Sequence, residues 1–136
     1  MARKKVTVDR CVGMVHIADP QISPQADTIA FSRTALAEDG TERHTVICTV
    51  DSESQEIVEL TGGPADRCPR WSADGERIAF VTGEKSPQIA FATPGGEVET
   101  LTDMRTDPGD IDIMPNTGRI SFLATVPEGK REREAR

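Results

Sequence analysis

Apolar and polar positions along the chain sort into short runs separated by turn residues. The run at 77–82, RIAFVT, is apolar at Ile78, Ala79, Phe80 and Val81 in succession. The run at 28–33, TIAFSR, opens in the same way with Ile29, Ala30 and Phe31. Runs of this kind do not alternate, so they predict strands covered on both faces. EIVEL at 56–60 and EVETL at 97–101 alternate better and predict edge strands with one wet face. Ala73-Asp74-Gly75 separates two runs, and Asp-Gly is among the strongest short hairpin signals. Ser86-Pro87 and Pro94-Gly95-Gly96 punctuate the runs that follow. No long stretch keeps a 3.6-residue period, so no helix is predicted.

These runs repeat. DPQISPQADTIAFSRT at 19–34 and CPRWSADGERIAFVTG at 68–83 align at an offset of 49. Pro20, Ile22, Ser23, Ile29 and Phe31 fall on Pro69, Trp71, Ser72, Ile78 and Phe80, while Asp74 and Gly75 supply the turn. A weaker third copy aligns at a further offset of 42 and places Ile113, Ile120 and Phe122 on Trp71, Ile78 and Phe80. A Leu-Thr ending also recurs, at Leu60-Thr61 and Leu101-Thr102. A period in the forties marks stacked structural units. Each unit reads as four strands: 16–22, 28–33, 44–50 and 56–60 in the first, and 67–72, 77–82, 88–92 and 97–101 in the second. The third supplies two, at 110–113 and 119–125. Inner apolar strands with an outer amphipathic one describe a propeller blade. The expected fold is all-β, a partial β-propeller of about two and a half four-stranded antiparallel blades. It divides into an N-terminal arm (1–13), a first blade (14–62), a second (63–103), a partial third (104–126) and a charged tail (127–136).

The formal net charge of −7 and pI near 4.8 argue against nucleic acid or an anionic membrane as a partner. Arg outnumbers Lys three to one and aromatics are 4% of residues. That profile fits a salt-adapted protein, whose structure would weaken in low salt. Cys11, Cys48 and Cys68 form no CxxC pair, so the expectation is three idle thiols in a reducing compartment. No segment approaches the ~20 apolar residues of a membrane span. The basic opening MARKK is interrupted by Asp9 and Arg10 before any apolar run develops, which speaks against a secretory signal and for the cytoplasm.

Candidate chemistry is sparse. His16 and His44 are the only histidines, and His44 near Asp51 and Ser52 lacks the converging elements and oxyanion hole that a triad needs. None of the seven serines (Ser23, Ser32, Ser52, Ser54, Ser72, Ser86, Ser121) lies in the G-x-S-x-G setting of a nucleophile elbow. Ser72 reads as a turn cap. Asp103, Asp107, Asp110 and Asp112 do not follow a calcium-loop spacing and read as a solvated acidic segment. Trp71 could stack on a ligand, but Ile22 and Ile113 stand at its place in the other copies, which fits packing between blades. No motif asks for a cofactor or metal.

The phrase PRWSADGERIAF followed by GGEVETLT resembles the TolB-type propeller repeat, with Ala73 in place of the usual proline. The order HIADPQISPQADTIAFSRT, VICTVD, ELTGGPADRCPRWS resembles the N-terminal propeller of acylaminoacyl peptidases in the prolyl oligopeptidase family, over residues 14 to 127. In that family the propeller gates substrates over a hydrolase domain. The resemblance therefore implies a non-catalytic, substrate-gating propeller fragment, truncated or split from a serine peptidase. The alternative is a free-standing protein- or peptide-interaction module. Two and a half blades do not close a ring, so the expected partners are the rest of a split propeller or hydrolase chain, another copy of this chain, or peptides.

Overall fold

The computed structural model describes residues 7–8, 13–37, 39–114 and 117–124. Cys11, most of the arm at 1–13 and the charged tail at 127–136 lie outside the described residues. Among the described residues ten strands form three antiparallel sheets. The first sheet runs β1 (His16–Ile22), β2 (Thr28–Leu36), β3 (Arg43–Asp51), β4 (Ile57–Glu59), in that spatial order. The second repeats it with β5 (Asp66–Trp71), β6 (Ile78–Thr82), β7 (Gln88–Ala92) and β8 (Val98–Thr100). The third pairs β9 (Pro108–Ile113) with β10 (Ile120–Ala124).

Register sorts the side chains by face, because directly paired antiparallel residues point the same way. In the second sheet Trp71 pairs with Ile78, Ile78 with Ala92, and Phe80 with Ala90. All of these look toward the first sheet, where they join Ala30 and Ile47 in one buried cluster. The opposite face of the second sheet carries Ala79, Val81 and Ile89, which are buried with Ile111 and Ile113 of the third. The second sheet thus has a leading face toward the first and a trailing face toward the third, and the matching faces of the other two sheets take the same names. The first strands sit together, with β5 touching β1 and β9 touching β5. That arrangement explains why IAFV does not alternate: both faces of the second strand are covered.

The recurrent Leu-Thr ending has a structural purpose. The Leu60 amide donates to the Ile47 carbonyl at 2.8 Å, and the Thr61 hydroxyl accepts from the Ile47 amide at 2.9 Å. Leu101 and Thr102 make the same two bonds to Ile89, at 2.8 and 2.9 Å. The threonine side chain closes the ladder where the outer strand leaves it, so the buried Ile47 and Ile89 amides keep a partner.

Three features differ from the sequence expectation. β2 and β3 stay paired to Leu36 and Arg43, longer than the pattern indicated, helped by a Thr34–Thr45 hydroxyl contact of 2.8 Å. β4 and β8 are exposed along their whole length rather than on one face, because sheets arranged around an axis diverge outward. The third difference is in the turns. Gly75 takes a left-handed φ of 74° and its amide donates to the Ser72 carbonyl at 2.9 Å. In the first copy Gln25-Ala26 builds the same turn. Ala26 is forced to φ 59° and donates to the Ser23 carbonyl, also at 2.9 Å. A left-handed conformation costs an L-residue with a Cβ about 1–2 kcal/mol. Ala26→Gly should therefore stabilise the protein by about 1 kcal/mol after its unfolded-state entropy is counted. A rise in the urea midpoint at unchanged slope is the expected readout, and a fall would contradict the strain.

Candidate functional site

The first strands of the two complete sheets bulge at the same place. Between Ala18 and Gln21 the register slips, and Asp19 has φ 52°. Between Arg67 and Arg70 it slips again, and Cys68 has φ 56°. Each residue precedes a proline, Pro20 and Pro69. A bulge re-aims the side chains around it. Here it lets Asp19 accept from Arg70 Nη1 of the next sheet at 2.7 Å and from its own neighbour Gln21 Nε2 at 2.9 Å. Arg70 Nη1 also donates to the Pro69 carbonyl at 2.7 Å. The indole N–H of Trp71 donates across the same junction to the Gln21 carbonyl at 2.9 Å.

Beside this junction lies a cleft of about 340 Å³. Gln21, Arg70 and Asp112 line it from equivalent positions of the three copies, next to Ile22, Trp71 and Ile113. A second cleft of about 410 Å³ opens on the other side of Trp71, between Asp27, Asp51, Glu56 and Pro94. One indole therefore forms a wall of both.

The remaining candidates fall elsewhere. Ser72 donates to Asp74 at 2.5 Å and accepts from the Arg77 amide at 3.1 Å, a turn cap. Ser23 does the same with Asp27 and the Thr28 amide, at 2.8 and 3.1 Å. The Ser72 hydroxyl, with help from the Glu76 amide, holds the Asp74 carboxyl below its ordinary pKa. The Ser54 and Glu53 amides do the same for Asp51. His16 and His44 are exposed, and no described serine bonds a histidine. Asp103, Asp107, Asp110 and Asp112 are all exposed. Among the described residues no group of His, Cys, Asp or Glu is placed to hold a metal ion. Burial pushes the Cys48 and Cys68 thiols up, and Asp19 raises Cys68 further, so both resist forming the reactive thiolate.

The motif residues divide by cover. Ile78, Phe80 and Ile113 are buried, Trp71 and Ile120 partly so. Pro69 is fully buried, yet its counterpart Pro20 is exposed. Ile22, at the Trp71 place, is 67% exposed, because no sheet precedes the first among the described residues. Sequence reasoning passed over Gln21 and Arg70, and took Asp112 only as part of a solvated acidic segment. Their signal was an aligned column just after the repeat proline whose polar character changes from copy to copy while its neighbours stay apolar.

No family model matches the chain. A curated Bacillus subtilis (strain 168) protein, "Uncharacterized peptidase YuxL", is 27% identical over 132 residues, which is 94% of this chain and 20% of that protein. Among solved structures, Pyrococcus horikoshii acylaminoacyl peptidase matches 90% of this chain with 19% of its own, at a TM-score of 0.70 and 17% identity. TolB from Acinetobacter baumannii matches 81% of this chain with 27% of its own, at 0.62 and 24%. The fold is a partial β-propeller. The resemblance to TolB-type blades and to acylaminoacyl peptidase propellers holds in three dimensions. The chain spans about a fifth of the length of the curated relative and of the peptidase structure.

Proposed function

We propose that these blades belong to the substrate-gating propeller of a prolyl-oligopeptidase-family serine peptidase of the acylaminoacyl type, and that the chain itself cleaves nothing. The observation that carries this reading is the match of nine-tenths of the chain to the propeller of an acylaminoacyl peptidase, in a sequence without a G-x-S-x-G elbow. A narrow axis between blades admits an extended peptide and turns away a folded protein, which is how such a domain selects without reacting. The reducing cytoplasm suits thiols that burial keeps protonated.

The purified chain should neither turn over acylaminoacyl peptide substrates nor be labelled by a fluorophosphonate. Labelling of any of its serines, with turnover abolished by the same reagent, would overturn the non-catalytic half of the reading. For the gating half, the chain can replace the matched stretch of the Bacillus subtilis relative. A folded chimera should cleave short peptides and spare intact folded proteins; one that degrades both contradicts gating.

A further inference from the structure

The first sheet has an apolar face with no sheet against it among the described residues. Ile22 pairs with Ile29, Ile29 with Val50, and Val50 with Ile57, so all four look the same way. Ile17 pairs with Arg33 and Phe31 with Cys48 on that face too. Phe31 and Cys48 form a small cluster with Val46, while Ile17, Ile22 and Ile57 around it are 64%, 67% and 58% exposed. Apolar side chains concentrated on one face mark an interaction surface.

The molecule itself shows what covers such a face. The same face of the second sheet is buried by the trailing face of the first, and that of the third by the trailing face of the second. The cover is therefore the trailing face of a blade. One such face has no sheet against it among the described residues. In the third sheet Ser121 pairs with Asp112 on the side away from Ile111 and Ile113, and Leu123, two residues on, is 73% exposed. The aligned position of Asp19, the acceptor at the first junction, is filled there by Asp110. Opposite it a second copy would bring Gln21, a donor, at the place of Arg70, and Ile22 at the place of Trp71.

We propose that the leading face of the first blade docks on the trailing face of the third blade of a second copy, a head-to-tail contact that repeats the junctions inside the chain. Such a contact is heterologous, and it propagates or closes according to its rotation. The proposal rests on blade geometry; where these blades sit in a longer propeller, as the peptidase reading has it, further blades of that propeller take the place of the second copy.

Sedimentation velocity of the full chain over about 1–100 μM, a range suited to moderate affinities, reads it directly. The mass should rise with concentration. Ile22→Asp and Leu123→Asp should each weaken association about tenfold or more, since each places a charge in a desolvated contact. Mixed in equal amounts, the two variants should form a dimer and nothing larger, because only one intact pair of faces remains between them. Far-UV circular dichroism verifies folding, and Ile22→Ser substitutes for an unfolded Ile22→Asp. A wild-type chain monomeric throughout overturns the proposal. So does a Leu123→Asp variant that associates normally while Ile22→Asp does not, since that pattern means leading face on leading face. Folded variants that stay monomeric when mixed overturn it as well.

Discussion

Phe80→Ala is expected to remove about 3–5 kcal/mol of stability, the usual cost of deleting a fully buried Phe side chain. Phe80 is 1% exposed and lies between the first two sheets, among Ala30, Ile47, Ile78, Ala90 and Ala92. Three of those neighbours are alanines, whose side chains cannot swing inward to fill the space. A site that cannot collapse retains its cavity, so the cost should fall toward the top of that range. Against a typical total of about 5–15 kcal/mol, one substitution would remove a large share of the folding free energy. Phe31→Ala is the matched control. Phe31 holds the same place in the first copy, but its cluster has only Val46 and Cys48 as buried members. Its loss should be smaller by about 1 kcal/mol or more, since fewer contacts are forfeited. Urea unfolding followed by circular dichroism compares the two. Equal losses would mean that the junction between sheets contributes no more than an open face does.

That contrast shows what a sequence of this kind can and cannot reveal. The strands were legible because their signals are local: Asp74-Gly75 ends one run, Pro94-Gly95-Gly96 another, and the apolar IAF runs between them are too dense for a surface strand. Three aligned copies made the propeller architecture legible as well. The cover over each copy was not. Ile22 and Ile113 occupy one column of the repeat, yet one is 67% exposed and the other 8%. The difference depends on whether a sheet precedes, which no local pattern encodes. The bulge at Asp19 was equally hidden, because its reason is a partner, Arg70, that arrives 51 residues later. The Leu-Thr ending was visible as a repeat but not as a device, since the Thr61 hydroxyl serves an amide 14 residues away. The cleft beside the first-strand junction escaped notice for a related cause. Gln21, Arg70 and Asp112 share no chemistry, so alignment by similarity passes over the column that lines it.

Trp71→Ala tests whether the wall between the two clefts is packing or recognition. The indole is half-buried, so its truncation should cost about 2–4 kcal/mol, somewhat below the value for a fully buried Trp. Trp71→Phe keeps much of the apolar contact but deletes the N–H that reaches the Gln21 carbonyl at 2.9 Å. Gln21 lines an open cleft, where water can replace the lost donor, so that variant should cost only about 1 kcal/mol. Trp71 is the chain's single tryptophan, so circular dichroism rather than fluorescence must follow both variants. The graded series Trp, Phe, Ala, with most of the loss at the last step, is the behaviour of a packing residue. A different outcome would redirect the functional reading. If Trp71→Ala left stability unchanged, the indole would be holding nothing together. Its position between Arg70, Asp112 and the acidic second cleft would then be that of a stacking surface for a peptide.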